Sequence, residues 1–126
     1  MHTTSNVNRA AQAAAHAALT SPDMLAVIRP RLMSTRDRML ELLKPLGLDR
    51  PVPQGAFYHF PDLSRYGRDD VALAAELLER AQVATVPGSA FGAPGHLRLS
   101  YSGSASEVDR GVRRLARYLA RRPLRR

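Results

Sequence analysis

The chain has 126 residues and a formal net charge of +8, and 44% of its residues are hydrophobic, which favours one domain with one core over a two-domain enzyme. It contains no cysteine, so disulfides, thiolate metal sites and a cysteine nucleophile are excluded, and a reducing compartment is expected. No apolar run approaches the ~20 residues of a membrane span, and the first residues lack the features of a secretion signal, so we expect a cytoplasmic protein.

The positive charge is concentrated near the end of the chain. Eight of the 19 basic residues follow Asp109, and no acid follows them. Residues 1–109 therefore hold 11 bases and 11 acids, which cancel. Lys44 is the only lysine, so the arginines indicate a compositional bias. For residues 110–126 we favour a solvated helix face over a nucleic-acid site.

Two helices are predicted in the first third of the chain. Residues 7–19 are rich in alanine and contain no glycine or proline, which predicts a helix that packs on two sides. A second helix is expected to begin at Pro22, after an N-cap serine, and to continue through apolar positions to residue 46. Pro30 is expected to kink this helix, and Gly47 is expected to end it.

Short strands and two further helices are predicted in the remainder of the chain. The strands are expected at residues 55–60, 83–86 and 96–101. One helix is expected to open at Asp69 and Asp70, and the last helix at Ser104, whose spacing to Glu107 is typical of a capping box. This order predicts an α/β domain in which a small three-stranded sheet is covered by about four helices.

The third predicted strand alternates between polar and apolar residues. Side chains on a strand point alternately to its two faces. One face is therefore predicted to carry His96, Arg98 and Ser100, and the other face Leu97, Leu99 and Tyr101.

Three short segments of the sequence carry a family resemblance. They are Gly55-Ala56-Phe57-Tyr58, residues 86–92 (Val-Pro-Gly-Ser-Ala-Phe-Gly) and residues 97–101 (Leu-Arg-Leu-Ser-Tyr). In this order and spacing they resemble the C-terminal small domain of the class I aminotransferases, which are pyridoxal-phosphate enzymes of fold type I similar to the prokaryotic aspartate aminotransferases.

The resemblance covers nearly the whole chain and implies its organisation. It implies that residues 1–126 form a single domain of the small-domain type. Residues 1–20 would be an alanine-rich linking helix and residues 21–126 the body of the domain. The large domain that binds pyridoxal phosphate would be absent.

Arg98 is the one substrate-binding residue that the resemblance implies. In the family, the arginine at this position holds the α-carboxylate of the amino-acid or keto-acid substrate. A planar guanidinium suits this task because it offers two parallel donors to a carboxylate and stays charged. The alternative is a structural ion pair between Arg98 and an acid such as Asp62 or Glu79.

The resemblance also indicates what this chain lacks. The family's reaction needs a lysine that bonds covalently to the cofactor, an acid on the pyridine nitrogen and a phosphate-binding loop, all in the large domain. Lys44 matches the small domain's long helix instead, and we expect it to be a solvated surface lysine. We therefore predict no catalytic or cofactor-binding residue and no pyridoxal phosphate bound by this chain alone.

The remaining candidates favour structural roles. The histidines share no short metal-binding spacing, so we predict no metal site; they are His2, His16, His59 and His96. Ser89 and Ser100 have no neighbouring His/Asp arrangement and are expected to serve in a turn and a strand. Phe57 and Tyr58 are expected to pack against the helices rather than contact a ligand.

Two functions from different classes remain open. The first is a truncated or split pyridoxal-phosphate-dependent aminotransferase, inactive alone, that needs a separate chain carrying the large domain. The second is a noncatalytic interaction module derived from an aminotransferase, with self-association or a heterodimer as its expected assembly. Nucleic-acid binding through residues 110–126 is a third, less favoured possibility, and no membrane partner is expected.

Overall fold

The computed structural model describes residues 6–122. Residues 1–5 and 123–126 lie outside this range, and with them His2 and the last two arginines of the basic segment. The chain divides into two compact units, of which the first ends at Arg31 and the second begins at Leu32.

The first unit is helical. Helix α1 spans Arg9–Thr20 and begins after Asn8, whose side-chain oxygen accepts a hydrogen bond from the Ala11 amide. No residue of α1 is buried, so the prediction that this helix packs on two sides is wrong for this chain. Helix α2 spans Pro22–Leu43 and continues through Pro30.

The end of α2 follows the sequence prediction. A 3₁₀ turn at Lys44–Leu46 comes directly after the helix, and Gly47 closes it. Gly47 has a left-handed φ of 62°, and its amide donates to the Lys44 carbonyl. Glycine adopts this conformation without the strain that a side chain would cause, which is why it terminates helices so often.

Three short antiparallel strands form the sheet of the second unit. Strand β1 spans Tyr58–His59, β2 spans Val86–Pro87 and β3 spans Leu97–Ser100, in the order β1-β3-β2. The third strand was predicted well. The first is shorter than predicted, and the second begins only at Val86 and includes Pro87, which was expected to lie beyond its end. In β1 the cause is Ala56, whose φ of 60° breaks the extended backbone. Before β2, the Val83 amide donates to the Leu77 carbonyl and so closes the preceding helical turn.

Two helices cover the sheet from the later part of the chain. Helix α3 spans Asp70–Glu76, is capped by the Asp69 side chain and continues into a π-helical turn at Leu77–Ala81. Helix α4 spans Ala105–Ala120. Ser104 and Glu107 form the predicted capping box, which satisfies two of the free amides at the helix start.

The core of the second unit lies between the helices and the inner face of β3. Its fully buried members come from the end of α2, from α3, from β3 and from α4; they include Leu43, Leu73, Leu97, Leu115 and Leu119. The predicted fold class is confirmed: the described part of the chain is an α/β structure with four α-helices and a three-stranded antiparallel sheet. Among residues 6–122, none of the helices has the length and apolarity that a membrane crossing requires.

Candidate functional site

The candidate site lies on the outer face of β3, which we define as the face carrying His96, Arg98 and Ser100. Leu97 and Leu99 point the other way and are 0% and 6% exposed. Arg98 and His96 are half-buried, and Ser100 is exposed. The predicted alternation is therefore confirmed, and Arg98 faces outward from the central strand of the sheet.

The guanidinium of Arg98 lies against two aromatic rings. Its central carbon is 5.5 Å from the centroid of the Tyr58 ring and 5.1 Å from that of Phe91. Both distances fall within the range of favourable cation–π contacts. The two rings come from different segments of the chain and fix the position of the guanidinium without using its N–H donors.

The predicted alternative partners do not neutralise Arg98. Within residues 6–122, no carboxylate forms an ion pair with its guanidinium. Asp62 instead accepts a hydrogen bond of 2.8 Å from the Ser64 amide, which holds the pKa of this carboxyl below its usual range. Glu79 is exposed on the π-helical turn. Within the described residues, Arg98 is therefore positioned by aromatic rings and not by an acid.

Further aromatic side chains lie beside the two rings that contact Arg98. Phe57 and Tyr58 are 51% and 36% exposed, so the prediction that they pack against the helices is wrong. Phe60 stacks on His96 with 5.2 Å between ring centroids and meets Phe91 edge-on at 6.0 Å. Sequence reasoning missed Phe60 and Phe91 as members of the site, although Phe91 belongs to the motif at residues 86–92.

A short turn places Phe91 beside Arg98. This 3₁₀ turn spans Gly88–Phe91, and the Ser89 amide donates a 2.6 Å hydrogen bond to the buried carboxylate of Asp70. That bond holds the pKa of Asp70 below its usual range, so the carboxylate stays charged at neutral pH. A Cβ at Gly88 would lie 2.3 Å from the Ala93 carbonyl oxygen, and only glycine fits there.

A second contact fixes the segment that leads to Tyr58. The hydroxyl of the buried Tyr101 lies 3.3 Å from both the Gly55 and the Ala56 carbonyl oxygens, to which it donates. The Tyr101 amide also donates to the Phe57 carbonyl at 2.9 Å. Burial raises the pKa of the Tyr101 phenol, so it remains a donor. One core residue thus holds the left-handed turn that precedes Tyr58.

The other residues considered from the sequence take structural positions. His59 is fully buried, and its Nε2 donates to the Leu48 carbonyl at 2.6 Å. Burial lowers its pKa, so this imidazole is neutral. Lys44 is exposed on the 3₁₀ turn after α2. Ser89 and Ser100 lie in a turn and a strand, as predicted.

A search for metal-ligating side chains gave no site in the part of the chain that the structure describes. No group of three His, Asp or Glu side chains within residues 6–122 is arranged to hold a metal ion.

Comparison with known proteins identifies a family. The model of the family described as aminotransferase class I and II matches residues 1–115. A probable aspartate/prephenate aminotransferase of Aquifex aeolicus is 46% identical over 122 residues, which are 91% of this chain and 31% of that protein. An aspartate aminotransferase of Streptomyces avermitilis is 41% identical over 131 residues, covering 94% and 32%. The chain therefore spans about a third of the length of these curated relatives.

Solved structures show the same likeness. The aspartate aminotransferase from Rhizobium meliloti matches with a TM-score of 0.77 and 35% identity, over 89% of this chain and 31% of that one. A double mutant of the Thermus thermophilus aspartate aminotransferase matches with a TM-score of 0.75 and 40% identity, over 91% and 31%. Both fold and sequence are thus shared with one region of these proteins.

Proposed function

Since the chain belongs to the class I and II aminotransferase family, we propose that it is the C-terminal small-domain portion of a pyridoxal-phosphate-dependent aminotransferase and contributes the arginine that binds the substrate α-carboxylate. This arginine is Arg98, and the substrate class is an amino acid or its keto acid. The portion acts in the cytoplasm and is inactive without the remaining two thirds that the relatives possess.

The observation that supports this proposal most is that Arg98 is held in position by aromatic rings and not by an acid. Its side chain is held by the rings of Tyr58 and Phe91, and in the described residues no acid pairs with it. An arginine positioned by apolar contacts keeps its fork of donors for a carboxylate, which accepts two parallel hydrogen bonds. A structural arginine would instead pair with an acid of its own fold.

The residues of this chain do not fit the covalent attachment of pyridoxal phosphate. That cofactor acts as an electron sink and is held by a lysine Schiff base in its enzymes. Lys44 is the only lysine of the sequence. It lies exposed on a turn after α2, where nothing shields a reactive amine from water. The cofactor must therefore be held by another portion of the enzyme.

A chimera tests the proposed role of Arg98. In this chimera, the chain replaces the matching 31% of the Aquifex aeolicus relative, which supplies the rest of the fold. We expect transaminase activity from the chimera and none from the chain alone mixed with pyridoxal phosphate and an amino donor. Arg98→Lys should weaken substrate capture by about 2 to 5 kcal/mol because the forked pairing is lost, which raises KM about 30-fold or more.

The matched control is Arg68→Lys, since Arg68 is exposed and lies outside the outer face of β3. It should leave KM within twofold of the chimera. An unchanged KM in the Arg98→Lys chimera would contradict the proposal.

A second candidate function is favoured by the exposed apolar residues of the first unit. Several large apolar side chains there are 43% to 80% exposed; they are Val7, Leu19, Met24, Leu25, Val27 and Ile28. Exposed apolar residues at this density mark interaction surfaces. If the chain is an interaction module, it should self-associate, and Leu25→Glu and Ile28→Glu should abolish that self-association. A clean monomer over a wide concentration range in sedimentation would argue against it.

A further inference from the structure

A groove of about 820 Å³ lies between α4 and the π-helical turn that follows α3. It shares no residue with the outer face of β3. Five arginines line it, and we call it the arginine groove; they are Arg80, Arg114, Arg117, Arg121 and Arg122. Such a concentration of one charge in a hollow focuses an electrostatic field on any ligand of the opposite sign.

Glu76, the one acid among the described residues that line the groove, already has partners within the chain. Glu76 accepts a 2.6 Å hydrogen bond from the Tyr118 hydroxyl and forms an ion pair with Arg122. These donors, Tyr118 first, hold the pKa of Glu76 below its usual range. Arg122 also donates from Nε to the Tyr66 carbonyl at 2.9 Å. Glu76 and Arg122 therefore neutralise each other, and the bond to the carbonyl of the buried Tyr66 fixes this pair in the groove.

The other four arginines of the groove form no close ion pair. Within the described range 6–122 this holds for Arg80, Arg114, Arg117 and Arg121, although the charge of Arg80 also contributes to the lowered pKa of Glu76. Elsewhere on α4, by contrast, Arg113 is neutralised by Asp109 at 2.6 Å. In the described part of the chain, the groove therefore brings four unpaired arginines together, whereas other unpaired bases, Arg110 of α4 among them, lie outside it.

The spacing of these arginines suits a ligand with several negative charges. Arg114 and Arg117 lie on α4 and Arg121 is its C-cap residue; at positions i, i+3 and i+7 they share one side of the helix and its end. Seven residues of helix span about 10 Å. Arg80 comes from the other wall, on the π-helical turn. Guanidinium groups bind phosphate oxygens in a forked geometry, and several can engage one short phosphate chain.

We propose that the arginine groove binds a compact polyphosphate, such as the triphosphate chain of a nucleotide or free inorganic tripolyphosphate. Its volume of about 820 Å³ is that of a small-molecule site. A single phosphate would neutralise only part of the four free charges. The groove also ends within about two turns of α4, which is shorter than the track that a nucleic-acid strand follows.

The test uses the full chain and calorimetric titration in 50 mM salt. The ligands are inorganic tripolyphosphate, a nucleoside triphosphate and orthophosphate. The variant Arg117→Gln/Arg121→Gln removes two charges from the groove. The control Arg9→Gln/Arg29→Gln removes two exposed helical arginines from the first unit and lowers the net charge equally.

We expect tripolyphosphate to bind at least 30-fold more tightly than orthophosphate. The groove variant should raise its Kd at least tenfold, and the control variant less than twofold. Equal affinity for the nucleoside triphosphate would show that only the phosphate chain is recognised. A tenfold tighter Kd for the nucleoside triphosphate would identify the nucleotide as the source. Either outcome supports the proposal.

Two results would overturn it. The first is an equal loss of tripolyphosphate affinity in the groove and control variants, which would show that net charge alone attracts the anion. The second is a 20-nucleotide single strand that binds at least tenfold more tightly than tripolyphosphate and loses affinity in the groove variant. That result would assign this surface to nucleic acid, with the steep salt dependence that phosphate contacts impose.

Discussion

The two faces of β3 carry neighbouring residues with opposite environments. On the inner face, Leu97 and Leu99 are 0% and 6% exposed and lie in the core. On the outer face, Arg98 is half-buried between the rings of Tyr58 and Phe91. Since successive side chains of a strand alternate, one four-residue element contributes to the core on one side and presents a polar face, the proposed binding face, on the other.

The outer face nevertheless depends on the inner side of the fold. Asp70, which is 4% exposed, holds the turn that carries Phe91. Tyr101, which is 2% exposed, holds the turn that precedes Tyr58. Buried groups therefore determine where the two rings that contact Arg98 lie. A guanidinium held in this way is positioned without a polar partner of its own.

The largest expected effect is the difference in stability between a variant on the inner face of β3 and a variant on its outer face. Leu97→Ala should lower the free energy of unfolding by about 4 kcal/mol because it leaves a cavity at a fully buried position. Arg98→Gln, one residue away, should lower it by only about 1 kcal/mol, because it loses two partly exposed cation–π contacts and leaves no cavity in the core. Urea denaturation of both variants measures the contrast. Similar losses in the two variants would show that Arg98 has a structural role.

The next effect concerns the backbone at Gly88. Gly88→Ala would place a Cβ 2.3 Å from the Ala93 carbonyl oxygen and 2.7 Å from the His96 Cβ, so the turn must shift. We expect a loss of about 3 kcal/mol, typical of overpacking. Gly111→Ala in α4 is the matched control, since no atom lies within 4 Å of its added Cβ. It should gain up to about 1 kcal/mol from helix propensity, and a loss there would contradict this argument.

A smaller effect depends on pH. Asp70→Asn should cost about 1.5 kcal/mol at pH 7 because the bond to the Ser89 amide loses its charge. The folded-state pKa of Asp70 is lowered, so its contribution is complete above the ordinary aspartate pKa and is lost as pH falls through the lower folded value. The difference in stability between the two proteins should therefore be constant near neutral pH and begin to shrink as pH falls below about 4. Denaturation at pH 7 and pH 3 checks this.

The control for that experiment is an exposed aspartate with the same type of contact. Asp62 accepts from the Ser64 amide at 2.8 Å and is exposed. Asp62→Asn should therefore cost less than Asp70→Asn, since water competes for the bond. A loss as large in Asp62→Asn would show that burial of Asp70 adds nothing to its bond.

The sequence predicts those parts of the fold that depend on residues close to one another in the chain. The alternation of β3, the capping box at Ser104 and the helix start at Asp69 and Asp70 involve residues within a few positions of one another, and the structure confirms all three. The left-handed Ala56 carries no such signal. An alanine rarely adopts that φ, and a distant hydroxyl supports it here.

The candidate site was less predictable because its parts meet across the chain. The outward orientation of Arg98 follows from alternation, but its contact with Phe91 depends on a 3₁₀ turn held by Asp70. The arginine groove similarly joins α4 to Arg80 through tertiary packing. Charge counting identifies the basic segment but not which of its arginines remain unpaired.

The smallest expected effect tests whether the buried Tyr101 positions the ring of Tyr58 on the outer face of β3. Tyr101→Phe removes the hydroxyl that donates to the Gly55 and Ala56 carbonyls. We expect a loss of only about 1 kcal/mol, because these residues are exposed and water can replace the lost donor. The matched control is Tyr66→Phe, whose equally buried hydroxyl makes only a 3.5 Å contact with Arg65.

The informative measurement on this pair is the environment of Arg98 rather than the stability. Without its hydroxyl tie, the turn at Ala56 can relax from its left-handed conformation and carry the Tyr58 ring away from the guanidinium. The NMR signal of the Arg98 Nε–H should then shift in Tyr101→Phe and stay in place in Tyr66→Phe. An unmoved signal in both variants would mean that the sheet pairing of Tyr58 with Ser100 alone positions the ring, and the dependence of the outer face on Tyr101 would be refuted.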